Sequence, residues 1–156
     1  MRYWLMKSEP EEFSIDALQR VRQEPWSGVR NYQARNYMWK EMQVGDGVFF
    51  YHSNCEQPAI VGIARVASEA YPDPTQFDPD SDYFDPKSRS DAPRWWLVDI
   101  GFERKLRRPL PLDELKLHAE SLGDFALLRR GNRLSVLPVD AAQWQYLISL
   151  ENEKPR

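Results

Sequence analysis

The sequence predicts an α+β domain: a small β-barrel with helices packed around its outside. Three observations lead there. The 156 residues are enough for one good core and one domain. Hydrophobic residues make up 42% and aromatics 13%, a composition that folds instead of staying disordered. Four or five runs of β-forming residues are short and end at turn signals, while segments of helical spacing lie around them, and nothing repeats.

The elements follow in order. Residues 3–6 are a short apolar run that reads as a buried strand. Ser14 is placed to cap a helix in which Ile15, Leu18 and Val21 fall on one face through Arg22, and Pro25 ends it. A second helix is expected to start at Asn31 or Gln33 and to run to about Met42, with Tyr37 and Met38 or Met42 facing inward. Gly45-Asp46-Gly47 turns the chain into a strand over residues 48–51. Residues 59–66 form the next strand, where Gly62 marks a bulge or a close backbone approach. A further strand covers 95–102 and extends towards Leu106, a short helix covers 112–119, and the last strand covers 133–137. Asp140 with Gln143 resembles a capping box ahead of Trp144, Leu147 and Ile148, the apolar stripe of a C-terminal helix. The domain is expected to span 1–150, with a short polar tail over 151–156.

Cys55 is the only cysteine, so an intramolecular disulfide and a cysteine-rich zinc site are excluded, which suits a reducing cytosol. The N-terminal apolar run is too short for a signal peptide, and no segment is long enough to span a membrane. A cytoplasmic protein without a membrane partner is therefore expected; its oligomeric state stays open, with a monomer favoured. The net charge of −3 argues against coating nucleic acid by positive charge alone. Charge is uneven, however. Residues 67–93 hold seven acids against Lys87 and Arg89, while residues 102–133 hold eight bases against five acids. A basic face of that size follows a phosphate backbone or simply lies in solvent.

Residues 71–94 carry a proline every few positions, which excludes a helix or a continuous strand. Tyr71, Phe77, Tyr83 and Phe84 need something to pack on, so the segment reads as an ordered, proline-stiffened lid. Its aspartates lack the spacing of a calcium loop and suit Asx-turns and caps.

The stretch Trp26-Ser-Gly-Val-Arg-Asn-Tyr-Gln-Ala-Arg-Asn36 is the strongest pointer to function. Two aromatics, two arginines, two asparagines and a glutamine make a poor core and a good polar pocket with stacking surfaces. The plainer alternative is a loop that caps the next helix, with Arg30 and Arg35 in solvent or paired with the acidic segment. Catalytic candidates are thin. His52 and Cys55 stand three apart after a strand, too few for a metal site and with no assurance of contact as a nucleophilic dyad. There is no glycine-rich phosphate loop and no nucleophile elbow. No metal, cofactor or catalytic residue is assigned.

Ordered motifs run through nearly the whole chain. They are Tyr3-Trp-Leu-Met-Lys-Ser-Glu-Pro10, the Trp26–Asn36 stretch, Gly45-Asp46 with Phe49-Phe-Tyr-His-Ser53, and Ile60-Val-Gly-Ile63 followed by Ala70-Tyr-Pro-Asp73. Asp85-Pro-Lys-Ser88 with Pro93-Arg-Trp95, and Arg133-Leu-Ser-Val136 with Pro138-Val139, complete them. In these the chain resembles the EVE-domain family, which includes the thymocyte nuclear proteins and many bacterial proteins, and more distantly YTH domains. The resemblance implies a PUA-like fold, a twisted, mostly antiparallel β-barrel with peripheral helices. It also implies binding of DNA or RNA that carries a modified base, notably a modified cytosine.

Carried over on the matching positions, Lys7, Ser8 and Glu9 form a pocket edge. Trp26 and Ser27 follow the first helix, with Trp26 as a cage wall, and Tyr71 stands roughly where YTH domains place a second tryptophan. Asn31, Pro72 and Asp73 complete the expected base pocket. Arg30, Arg35, Arg129, Arg130 and Arg133 are the candidate phosphate contacts. A non-catalytic base reader is the leading function. An enzyme using His52, Asp73 or Glu9 on a modified base or nucleotide, and a small-metabolite or protein-interaction module, are the alternatives.

Overall fold

In the computed structural model, which describes residues 1–154, both faces of the central strands are buried, and the residue alternation divides two cores between them. Strand β1 (Tyr3–Ser8) sends Leu5 to one side and Trp4 and Met6 to the other. Strand β3 (Gly47–His52) does the same with Phe49 and Phe50. One core lies under the C-terminal helix α5 (Ala141–Leu150), through Trp144, Leu147 and Leu150. The opposite core takes Ile15 and Leu18 from α1 (Ile15–Val21), Ala34 from α2 (Tyr32–Asn36), and Met38. Helices on both sides explain why the strands read as continuous apolar runs.

The sheet also contains β2 (Gln23–Pro25), β4 (Ala59–Val66), β7 (Asp99–Pro111) and β8 (Val136–Val139), in the order β2-β7-β4-β3-β1-β8. It is curled into a half-barrel whose edges are β2 and β8. β1 pairs with β3 in parallel, and every other pair is antiparallel. A parallel pair needs a long crossover, and the chain between these strands supplies it with α1, β2 and α2. Gly62 sits where the β4–β7 register shifts, and a Cβ there would stand 2.6 Å from Ile15 Cδ1. Both expectations for this glycine, bulge and close approach, are met.

Local signals act as expected at the helix ends. Ser14 accepts from Ala17 N and Asn31 from Ala34 N, and both bonds of the Asp140–Gln143 capping box form. Several boundaries differ from expectation. The second helix is a short α-helix, α2, continued by a π-turn over Tyr37–Glu41. The strand expected over 95–102 is two: β6 (Trp96–Leu97) pairs with β5 (Tyr71–Pro72), and β7 then runs on to Pro111. The helix expected over 112–119 breaks at His118 into α3 (Leu112–Leu117) and α4 (Ala119–Leu122). The last strand lies at Val136–Val139, further along than 133–137, and it tolerates Pro138 because it is an edge strand. β2 was not expected, since Pro25 reads as a helix terminator.

The β5–β6 ladder closes the base of the acidic segment. Its centre is Gln76, fully buried, whose Nε2 donates to the carbonyls of Asp73 (2.7 Å) and Trp95 (2.8 Å). Gln76 Oε1 accepts from Ser88 Oγ (2.5 Å) and Trp95 N (3.0 Å), and Trp95 Nε1 donates to Asp85 Oδ2 at 2.8 Å. A single amide thus satisfies four polar groups and holds the lid ordered. At the other end, Glu151 is buried and accepts from Arg104 and from Arg107 N. Residues 155–156 of the expected tail lie outside the described residues.

Candidate functional site

A cavity of about 610 Å³ is lined by the end of β1, by the edge strand β2 and by the loop that follows β2. Lys7, Ser8 and Glu9 come from β1 and the residue after it, Glu24 and Pro25 from β2, and Trp26 to Arg30 from the loop that follows. Arg133 and Ser135 enter ahead of β8, and Tyr83 arrives from the lid.

Trp26 N donates to Val98 O at 3.0 Å, which continues the β2–β7 alignment and fixes the indole at the cavity wall. The ring stands edge-on to Phe50 (centroids 5.6 Å apart, planes at 89°) and to Phe13 (6.4 Å, 82°). Only 8% of Trp26 is exposed. It is therefore a core residue with one border on the cavity, and replacing it with alanine would cost about 3–5 kcal/mol of stability. Gly28 adopts φ +87°, and its N donates to Asp73 Oδ2 at 2.8 Å. The Tyr83 ring lies directly on it, 2.7 Å from where a Cβ would stand. The lid docks on the loop through this close approach.

The polar groups of the cavity divide into spent and free. Ser8 Oγ donates to Phe13 O at 2.6 Å, which leaves its lone pairs as acceptors. Glu9 Oε1 accepts from Asn54 Nδ2 at 3.0 Å. Lys7 is half-buried, and burial lowers its pKa with no partner to offset it. Burial raises the pKa of the Glu24 carboxyl, and the nearby Asp99 charge adds to the effect. Arg133 is exposed at the rim and, like Lys7 and Glu24, enters no ion pair among the described residues.

Of the expected pocket residues, Lys7, Ser8, Glu9, Trp26 and Ser27 line this cavity. Tyr71, Pro72, Asn31 and Asp73 do not. Tyr71 sits on β5, where its hydroxyl donates to Asp99 Oδ1 at 2.5 Å, and its pKa is pushed up to about 12 by burial and by that carboxylate. Pro72 pairs with Trp96. Asn31 is occupied in capping α2. Asp73 is buried behind the loop, where it accepts from Gly28 N, Arg30, Thr75 N and Thr75 Oγ1. The aromatic facing Trp26's loop from the lid is Tyr83, twelve residues beyond Tyr71.

The candidate phosphate arginines also separate. All five N–H groups of Arg30 are used, on Val29 O, Asp73 Oδ2, Thr75 Oγ1 and twice on Tyr83 O. Arg35 lies over Tyr32 (4.6 Å) and Trp39 (5.3 Å), donates to Arg94 O at 2.6 Å, and holds Asn36 Oδ1 with two further nitrogens. Both are ties of the lid, not open cations. Arg129 forks onto Asp124 beside a different cavity, and Arg130 is exposed away from the site. Only Arg133 combines a free guanidinium with a place at the cavity.

Phe13, Glu24 and Tyr83 are cavity residues that the sequence did not mark. Tyr83 had a signal, an aromatic in a lid with nothing local to pack on. Glu24 had none, because its strand is invisible as a pattern. The candidates for acid–base chemistry have other work: His52 Nε2 accepts from Ile15 N at 3.1 Å, so it caps α1 as a neutral ring, and burial lowers its pKa accordingly. Among the described residues, no group of three or more His, Cys, Asp or Glu is placed to hold a metal ion, and no helix is long and apolar enough to cross a membrane.

Curled sheet, flanking helices and edge cavity agree with the family that the sequence matches over residues 2–150, the EVE domain, and the chain belongs to that family. Zebrafish thymocyte nuclear protein 1 is 47% identical to it, over 97% of this chain and 73% of its own length. Human THYN1, solved in complex with 5-methylcytosine-containing DNA, is 40% identical and superposes with a TM-score of 0.94 over 99% of this chain and 100% of that one. A Pseudomonas syringae protein is 49% identical with a TM-score of 0.88, covering 96% and 99% of the two chains. The family's members thus occur in vertebrates and bacteria alike.

Proposed function

We propose that the protein is a non-catalytic module that captures a modified base of a nucleic acid in the cavity beside Trp26, with a modified cytosine in DNA as the favoured ligand. The observation that carries this reading is one cavity that joins an aromatic border to free hydrogen-bonding groups and an unpaired rim arginine. Its volume of about 610 Å³ lies within the roughly 300–1,000 Å³ usual for small-ligand sites. The DNA held by the human neighbour supports a base over a free metabolite. A base entering the cavity has Trp26 and Tyr83 as apolar walls and the Ser8 and Ser27 region at its edge. Arg133 meets the adjoining phosphate and makes affinity depend on salt.

Fluorescence anisotropy with labelled oligonucleotides tests this, comparing 5-methylcytosine with cytosine at one position in otherwise identical DNA. The modified strand should bind more tightly, by no more than about 10–200-fold for one methyl group. Arg133→Ala should weaken both strands alike and reduce the salt slope by about one contact. Equal binding of the two strands, unaffected by Tyr83→Ala, would overturn the proposal.

A further inference from the structure

We propose that the outer face of Tyr32 is a stacking platform for an unpaired base flanking the captured one, and that Lys40 takes a backbone phosphate further along the same strand. The protein then binds its modified base best in single-stranded or locally opened DNA. This rests on the base-capture reading above, under which the rest of the strand leaves the cavity over the protein surface.

The platform is built by helix periodicity. Along α2 and the π-turn that continues it, Ala34 and Met38 turn into the core, while Tyr32, Arg35 and Trp39 share another face. That face meets Trp95 and Trp96 at the base of the lid. Tyr32 stacks on Trp95 (centroids 4.8 Å apart, planes at 15°) and Trp39 on Trp96 (4.7 Å, 6°). The Arg35 guanidinium links the two pairs, 4.6 Å from the Tyr32 ring centre and 5.3 Å from that of Trp39.

Holding the lid accounts for Trp95, Trp96 and Arg35. It does not account for Tyr32, which is 51% exposed. Arg35 Cζ lies 4.6 Å from the Tyr32 ring centre and 5.8 Å from that of Trp95, and the two rings are 4.8 Å apart. Those separations put the guanidinium and Trp95 on the same face of Tyr32. The other face has no aromatic or cationic partner among the described residues and is open to solvent. An open aromatic face is what an unstacked nucleobase lies on. Paired bases keep both faces inside the duplex stack, so only an unpaired or splayed base can reach it.

Charge selects the same partner. Lys40 is exposed, with Nζ 4.8 Å from the Trp39 ring centre. Neither Lys40 nor Arg35 enters an ion pair among the described residues. Flat rings thus stand beside unbalanced positive charge, the combination that binds a single strand. Glu69 is the one acid lining the groove beside Trp39 and Trp96, and it is exposed, where salt screens it. The face also adjoins the cavity. Tyr83, which lines the cavity, lies 5.6 Å from Arg30; Arg30 lies 5.2 Å from Trp95, and Trp95 carries Tyr32. A few nucleotides of strand span three such contacts.

The test uses the full chain and a single-stranded oligonucleotide with one 5-methylcytosine, in which each flanking position in turn is made abasic. Fluorescence anisotropy should reveal a flanking position at which loss of the base weakens wild-type binding about 5–10-fold. Tyr32→Ala should weaken the intact strand by a similar factor and lose nothing more at that position. Tyr32→Phe, which keeps the ring, should bind as the wild type does. Lys40→Ala should lower the slope of log affinity against log salt by about 0.7, the value for one phosphate on a single strand. In all three variants the ratio of 5-methylcytosine to cytosine affinity should match the wild type. A ring that only covers Trp95 predicts a lower Tm for Tyr32→Ala with unchanged affinity and an unchanged abasic profile. That result, or a wild type insensitive to every abasic position, overturns the platform while base capture stands. A wild type with no preference for 5-methylcytosine, but with an abasic effect that Tyr32→Ala removes, overturns base capture and leaves Tyr32 as a single-strand contact.

Discussion

Replacing Arg30 with methionine should loosen the lid without removing a phosphate contact. The guanidinium makes five hydrogen bonds, to Val29 O (3.0 Å), Asp73 Oδ2 (3.2 Å), Thr75 Oγ1 (3.0 Å) and Tyr83 O (3.1 and 2.7 Å). Its partner Asp73 has a side chain only 2% exposed. Breaking a buried ion pair by removing one member costs about 3–5 kcal/mol when the remaining charge is left bare. Asp73 would not be bare, because Gly28 N (2.8 Å), Thr75 N (2.8 Å) and Thr75 Oγ1 (2.6 Å) still donate to it. The expected loss is therefore about 2–3 kcal/mol, or roughly 5–10 °C in Tm for a domain of this size. Urea unfolding followed by tryptophan emission measures it. Hydrogen exchange at Thr75 and Phe84 should show whether the opening is confined to the lid. The salt slope of DNA binding should stay as in the wild type. A variant as stable as the wild type, with unchanged lid exchange and a slope lower by one, would refute this assignment and make Arg30 a phosphate ligand.

Gly28→Ala should cost at least about 1–2 kcal/mol from its left-handed conformation alone, and the Cβ would also displace the Tyr83 ring; a thermal melt unchanged from wild type would exclude that contact. His52 titrates below its usual value because it is buried beside the N-terminus of α1, with the attraction of Asp16 the lesser effect. The unfolded chain therefore takes up the proton first, and stability should fall as pH drops below about 6.5, levelling off once the folded-state value is passed. In His52→Gln this part of the slope should vanish, so pH–stability curves parallel to wild type would remove the cap role. Trp4→Phe should lose about 1–3 kcal/mol, since Trp4 Nε1 donates at 3.0 Å to the buried Asp46, whose other donors are Arg2 N and Gln43 N; a urea midpoint within error of the wild type would show that Asp46 finds a substitute.

Interactions that close within about four residues were legible in the sequence. Ser14, Asn31 and the Asp140–Gln143 box announce their helices because each cap bonds to an N–H three positions away. The runs 48–51 and 59–66 announce strands because both faces of the sheet are covered over most of their length, so all their positions but Arg65 are apolar or glycine. The long ordered motifs further identified the family, and with it the curled sheet.

What the tertiary structure decided is which polar side chain meets which, because those partners lie tens of residues apart. Arg30 and Arg133 are alike in sequence, yet one is consumed by Asp73, Thr75 and Tyr83 while the other stays free at the cavity rim. Tyr71 and Tyr83 are both lid aromatics; the β5–β6 ladder draws the first to Asp99, and the approach to Gly28 brings the second to the site. Glu24 faces the cavity only because three residues before Trp26 join β7 as an edge strand, a pairing without local signal. The sequence alone determined the family and most of the elements, β2 and the break between β6 and β7 excepted, since local hydrogen bonds and burial periodicity are written in neighbouring residues. The chemistry of the cavity waited for the fold, since a charge is spent or free according to contacts that only packing creates.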